Sequence, residues 1–237
     1  MQLIFDFPIR PHYTFANFVT CRGNEVAINF ARRVMDPVSG ENLLFLHGPE
    51  GSGKTHLLTA VSHAGSRDGV AVPVFPVQSL TPQSLEKIGE EARDLPLLLL
   101  DDLHLIQDDD RVRVALWQMF NDFYSSGRKI VVTATAPPKE LPHLDGHLVS
   151  RLLWGLVAKL DISDDDSRRM IMGKLAADRQ IALPAEVIDY LLLHVQRDIP
   201  ALTAALEQIK RMSFTTKRKI SLRLAREALA LPPEAHD

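Results

Sequence analysis

The sequence predicts an α/β fold, a parallel five-stranded sheet sandwiched by helices, with a small all-helical domain after it. Three observations carry this expectation. Short apolar runs alternate with helix-period segments as far as about residue 160, and beyond it only the helical period continues. The run Leu97 to Leu100 is continuously apolar, too short for a helix and closed by Asp101-Asp102, as in a strand covered on both faces. Between another apolar run and a helical one, Gly48-Pro49-Glu50-Gly51-Ser52-Gly53-Lys54-Thr55 fits the phosphate-binding pattern G-x-x-x-x-G-K-[ST].

In chain order, Gln2 to Phe7 is apolar and precedes Pro8 and Pro11, so no helix continues inward from it. It reads as an extended arm over residues 1–11, or alternatively as an edge strand packed on the body. A core domain is expected over 12–162. Its first helix spans Asn24 to Met35, with Asn24 as N-cap and Val26, Ala27, Phe30, Ala31 and Val34 as the apolar face. Asn42 to His47 is a strand, and Lys54 to Ala64 a helix. Val70 to Val77 is β-branched, and Thr81 caps a helix with Pro82 in its first turn. Leu97 to Leu100, Lys129 to Thr135 and Leu156 to Leu160 complete the strands. Arg111 to Ser126 is an amphipathic helix, and Pro138 to Leu141 a helical turn. Strand and helix in repeated alternation imply a parallel sheet with both faces covered. Over 163–237 a helical lid domain is expected, from Asp164 to Arg179, Pro184 to Val195, Pro200 to Phe214 and Ser221 to Leu229.

Composition excludes several classes. At 237 residues and 46% hydrophobic content the chain can bury a sizeable core. No apolar run approaches the ~20 residues of a membrane span, and Met1-Gln2-Leu3 lacks the start of a signal peptide, so a cytoplasmic protein is expected. A single cysteine, Cys21, leaves no intrachain disulfide, and the nine histidines form no H-E-x-x-H, so no structural metal is expected. A net charge of −3 argues against a chain built to coat nucleic acid.

The glycine pattern points to a nucleotide, ATP or ADP with Mg²⁺. Three glycines within six residues let backbone amides and the following helix N-terminus face phosphates. Lys54 would reach the β and γ phosphates, and the Thr55 hydroxyl would ligate Mg²⁺. Asp101, at the carboxyl edge of a buried strand, would hold the metal through water, and Asp102 would polarise the attacking water, a role usually taken by Glu. Asp108-Asp109-Asp110 reads as a solvated acidic turn.

Tyr13-Thr14-Phe15-Ala16-Asn17-Phe18-Val19, Gly53-Lys54-Thr55-His56-Leu57-Leu58, Asp101-Asp102-Leu103, Thr133 to Glu140 and Ser150-Arg151-Leu152-Leu153-Trp154-Gly155-Leu156 together resemble a known family. It is the AAA+ ATPase module of the bacterial initiator DnaA and, more closely, the Hda group of short relatives, factors for the regulatory inactivation of DnaA. The resemblance runs from about Tyr13 to about Leu229. It implies that Val19 and Asn24 contact the adenine end, that Gly48 to Thr55 and His56 bind the cofactor, and that Thr135 is the polar sensor-1 residue where DnaA has Asp. It implies that Arg151 is an arginine finger crossing to a nucleotide on a neighbouring subunit, where a guanidinium stabilises phosphoryl-transfer charge. His147 stands where DnaA has a second interface arginine, and Pro200 where the sensor-2 arginine would be. Weak intrinsic hydrolysis follows, unless another arginine such as Arg197 substitutes.

Between the second and third strands lies one short helix rather than the helical pair that DnaA inserts for single-stranded origin DNA. No helix-turn-helix pattern follows the lid, so sequence-specific DNA binding is not expected. Lys210, Arg211, Lys217, Arg218, Lys219, Arg223 and Arg226 could meet DNA or an acidic partner, but with few aromatic residues nearby a solvated helix face is favoured. Gln2-Leu3-Ile4-Phe5-Asp6-Phe7 resembles the peptide by which bacterial replication proteins bind the β sliding clamp. Gln2 would anchor it, and Leu3, Phe5 and Phe7 would fill apolar pockets. The resemblance therefore implies DnaA and the clamp as partners, with homo-oligomerisation left open. Its competitors are an autonomous ATPase of helicase-loader type and a nucleotide-stabilised, non-catalytic adaptor.

Overall fold

Side-chain alternation along three central strands decides what lies on each side of the sheet. The computed structural model describes residues 13–66, 72–91 and 95–230. The strands β1 (Leu43–His47), β2 (Val74–Pro76), β3 (Leu97–Asp101), β4 (Lys129–Ala134) and β5 (Leu156–Lys159) form one sheet in the order β2-β3-β4-β1-β5. Every pairing is parallel. Leu43 and Phe45 of β1, Leu98 and Leu100 of β3, and Ile130 and Val132 of β4 face one layer; Leu44, Leu46, Leu97, Leu99 and Val131 face the other. The first layer contains α3 (Pro82–Glu91), α4 (Asp110–Ser125) and α5 (Gly146–Leu152), and the second α1 (Glu25–Met35) and α2 (Lys54–Ala64). A continuous apolar run is what a strand with two covered faces requires.

The elements follow the expected order, with informative differences. In α1 the buried residues are Ala27, Ile28, Ala31 and Val34, whereas Val26 is 57% exposed, so the apolar stripe lies one position further round than expected. Asn24 stands at the N-cap of α1 but makes no capping bond. Its amide is used instead in the preceding turn, accepting from Cys21 N and donating to the Val19 carbonyl, each at 2.9 Å. β2 covers less than Val70 to Val77; Val70 and Ala71 lie outside the described residues, and Val77 begins a 3₁₀ turn. Pro73 and Pro76, which lack the N–H that a ladder needs, confine this strand to the sheet edge. Thr81 and Ser84 cap α3 reciprocally through backbone and hydroxyl groups. Asp109 caps α4, while Asp108 and Asp110 pair with Arg113, so the acidic turn is structural.

The helix α5 is not among the expected elements. Seven residues beginning with glycine are too short to show a period. It is held by Asp145, which accepts from Leu148 N at 2.8 Å, and by burial of Leu148 and Leu152. The arm at residues 2–7 lies outside the described residues.

Backbone contacts divide the chain at Asp161 and Ile162. The second unit contains α6 (Asp165–Asp178), α7 (Ala185–His194), α8 (Ile199–Thr216) and α9 (Leu222–Ala230). Met172, Val187, Leu191, Leu202, Leu206, Ile209 and Leu224 form its core. Asp164 and Asp198 cap α6 and α8 through Ser167 N and Ala201 N.

Candidate functional site

The carboxyl ends of β1, β3 and β4 meet at one sheet edge, the edge where open parallel sheets bind ligands. The loop from Gly48 to Gly53 leaves β1 there and turns into α2. Its glycines are required by geometry. Gly53 has φ +98°, the left-handed region, and a Cβ on Gly48 would lie 2.3 Å from the Leu160 carbonyl oxygen. Ser52 Oγ is buried with no hydrogen-bond partner among the described residues. An orphan hydroxyl beside the amides of a helix N-terminus is a group that an anion would satisfy. Lys54 is buried, and its Nζ donates to the carbonyls of Gly48 at 2.9 Å and Pro49 at 3.0 Å. Burial holds its pKa below the ordinary lysine value, against the opposing pull of Asp102, Asp101 and Glu50.

Strand parity assembles the acidic half. Asp101 follows Leu97 and Leu99 on the α2 face of β3, and Thr133 follows Val131 on the same face of β4, one step beyond the paired Leu100 and Val132. Asp101 therefore lies between two hydroxyls: Thr55 Oγ1 donates to Oδ2 at 3.0 Å, and Thr133 Oγ1 to Oδ1 at 2.5 Å. Thr133 Oγ1 also accepts from Asp102 N at 2.9 Å. Asp102 has φ +56°, and His104 Nδ1 lies 3.8 Å from its carboxylate. Burial, then the charge of Asp101, raise the Asp102 pKa above the ordinary carboxyl value. A glycine cradle with an unpartnered buried hydroxyl, next to a lysine and a hydroxyl–carboxylate pair, has the donor set of a nucleoside polyphosphate with a divalent cation.

Thr133 is a site residue that the sequence reading passed over. Its signal was a lone hydroxyl within an apolar central strand, which must find a partner when buried. Thr135 lies just beyond the end of β4, half-buried, and makes no side-chain hydrogen bond among the described residues. His56 approaches the Thr14 carbonyl at 3.2 Å, and its ring lies against Tyr13 and Phe18, tying residues 13–18 to α2. Phe18 also packs beside Gly53, so the Val19 to Asn24 turn adjoins the glycine loop.

A second polar feature of this domain lies on α5. No carboxylate pairs with Arg151 among the described residues. Its guanidinium instead lies 5.0 Å from the ring centroid of Trp154 and 5.7 Å from that of Trp117, within cation–π range. Trp154 is 56% exposed and leans on Tyr124, with centroids 5.5 Å apart. No hydrogen bond joins Arg151 to the glycine loop among the described residues. His147, on the same helix, is exposed. In the helical unit, Pro200 occupies the first turn of α8, where its missing N–H costs nothing. Arg197 donates to the Leu192 carbonyl at 3.2 Å and lies 3.6 Å from Asp165.

A parallel sheet with this loop after a central strand, carboxylates ending the next strand but one, and an appended helical unit define an AAA+ nucleotide-binding module. Residues 9–159 match the family model described as the Bacterial DnaA ATPase domain, and residues 164–229 match that of the Hda lid domain. The chain belongs to the DnaA ATPase family. It is 32% identical over 232 residues to the chromosomal replication initiator protein DnaA of Caldanaerobacter subterraneus, covering 93% of this chain and 52% of that protein. The chain thus spans about half the length of the curated relatives it matches. Domain III of the Thermotoga maritima replication initiation protein DnaA superposes with a TM-score of 0.80 at 30% identity, covering 94% of this chain and 97% of that one. AMPPCP-bound DnaA from Aquifex aeolicus gives 0.76 at 26% identity, covering 89% and 68%. No helix among the described residues is long and apolar enough to cross a membrane.

Proposed function

We propose that this chain is a regulator of replication initiation that holds a nucleotide in its own glycine loop and presents Arg151 to ATP bound by DnaA, promoting its hydrolysis. The carrying observation is Arg151 itself, a guanidinium without a carboxylate, supported by aromatic rings. Such a cation has its charge available for a partner's transition state, where arginine fingers contribute roughly a thousandfold or more in rate. The match of residues 164–229 to the Hda lid supports the same reading.

In the chain's own site the loop amides, Ser52 and Lys54 would hold the phosphates of ATP or ADP, and Thr55 with Asp101 would hold Mg²⁺. Bound Mg²⁺ would neutralise phosphate charge. Val19 and Asn24 would adjoin the base, with His56 bracing that segment. Asp102 would orient water and Thr135 would assist. Intrinsic turnover is slow in this reading, because Pro200 offers no cation and Arg197 is engaged within its own unit. Gln2, Leu3, Phe5 and Phe7 would tether the chain to the β clamp, raising the local concentration of Arg151 near DnaA.

The test is ATP hydrolysis by DnaA with clamp, DNA and this chain, compared with the same mixture containing Gln2→Ala/Phe5→Ala. Stimulation that needs both the clamp and an intact arm supports the proposal. No stimulation, together with brisk ATP turnover by the chain alone, would favour the helicase-loader class. A nucleotide-stabilised adaptor, for which Pro200 speaks, would give neither.

A further inference from the structure

The second half of the helical unit is strongly charged against the rest of the chain. Between Glu207 and Glu227 stand seven cations and two carboxylates, in a protein of net charge −3. The ion pairs do not neutralise this surplus. Arg218 and Arg223 converge on the single Glu227, at 2.6 and 3.1 Å, and Lys210 reaches Glu207 only at 4.0 Å. Arg226 lies over the Tyr190 ring. Arg211, Lys217 and Lys219 are exposed and have no carboxylate within ion-pairing distance among the described residues.

An exposed ring, Phe214, stands among these cations in the sequence. Lys210 and Phe214 stand at i and i+4 in the last turns of α8 and so share one side of the helix, with Arg211 next to Lys210 and the left-handed Lys217 just past the helix end. Phe214 is 67% exposed, whereas Leu202, Leu206 and Ile209 of the same helix are fully buried. The intervening hydroxyls are turned back onto the chain. Ser213 donates to the Arg218 carbonyl, Thr215 to that of Arg211 and Thr216 to that of Met212. The end of the helix therefore offers solvent an exposed aromatic ring and several exposed cations close to it in the sequence.

We infer that the C-terminal end of α8, with the segment that follows it, is a binding site for a single-stranded nucleic acid, with a base stacked on Phe214 and the backbone phosphates met by Arg211, Lys217 and Lys219. An acidic peptide would use the cations and leave the ring idle. A strand uses both, and stacking on an exposed aromatic is tolerant of sequence. The site uses no residue of the glycine loop and not Arg151, and it stands whether or not the function proposed above does.

The test is fluorescence anisotropy of a labelled oligothymidylate of about 20 nucleotides, titrated with the full chain. Three neutralised phosphates predict a log–log salt slope of about −2, hence roughly 18-fold weaker binding between about 50 and 200 mM salt. Arg211→Glu/Lys217→Glu is expected to weaken binding at least about tenfold and flatten that slope. Phe214→Ala is expected to weaken it about fivefold or more at an unchanged slope, and Phe214→Trp to restore it. All these positions are exposed, and circular dichroism melting checks that each variant folds. Failure of the unaltered chain to bind, or indifference to both Phe214 variants, would overturn the inference. So would polyglutamate that competes fully and is held equally well by Phe214→Ala, which would make the face an acidic-peptide site.

Discussion

The glycine-loop edge and the Arg151 corner belong to one domain, yet they treat charge in opposite ways. At the edge almost every polar group is engaged: Lys54 with two carbonyls, Asp101 with two hydroxyls, and the Asp102 amide with Thr133. At the corner a guanidinium is kept without a carboxylate and supported by two indoles. Aromatic faces orient an arginine without cancelling its charge, whereas a carboxylate would do both. The contrast separates groups built to act within the chain from one available to act outside it.

The largest expected effect lies at the edge. Lys54→Ala should abolish ATP and ADP binding, with affinity falling on the order of a hundredfold or more in calorimetric titration, because it removes the cation beside the phosphates. Unchanged affinity would mean that the loop is not a nucleotide site, and the contrast would lose one side. Next comes Thr133→Val, which keeps the shape and removes the hydroxyl. It leaves the Asp102 amide without its acceptor and should cost about 1–3 kcal/mol in thermal or denaturant unfolding, while Thr135→Val should cost much less. Equal effects would show that Thr133 is not the brace of the acidic pair.

At the corner, Trp154→Ala should lower the stimulation of DnaA hydrolysis by about two- to fivefold while leaving nucleotide affinity unchanged, since an exposed cation–π contact contributes only ~0.5–1 kcal/mol. Trp154→Phe should retain most of the activity. A fall in nucleotide affinity instead would merge the two regions that the comparison keeps apart.

The smallest effect concerns Asp102. Its folded-state pKa is raised, chiefly by burial, so its ionisation costs stability above the ordinary carboxyl range and costs nothing once pH falls below that range. Asp102→Asn, which also suits the left-handed backbone, should therefore raise the melting temperature at neutral pH by roughly 1–2 °C, small because the side chain is partly exposed. The gain should fade toward about pH 4. A gain that persisted at low pH would have another cause.

How much of this could be read from the sequence depended on how locally each feature is encoded. The glycine loop is contiguous, and its pattern between strand and helix carries its geometry with it. Asp101 was legible because it ends an apolar run. Thr133 was not, because its role arises from the register of β4 against β3, a pairing between residues thirty-two positions apart. Arg151 stood out through the Ser-Arg-Leu-Leu-Trp-Gly-Leu stretch, but Trp117 comes from α4 and no local pattern joins the two. The short helix α5 had no period to show. Val26 illustrates the converse. It is apolar at a helical spacing that suggests burial, yet it is exposed, and only the packing of the neighbouring elements decides it.

The central claim, that Arg151 acts on a nucleotide held by another protein, is tested most directly by Arg151→Ala in the DnaA hydrolysis assay with clamp and DNA present. The account predicts unchanged nucleotide affinity and clamp binding by the variant, with stimulation of DnaA lost by roughly a thousandfold or to background. Stimulation at the level of the unaltered chain would contradict it.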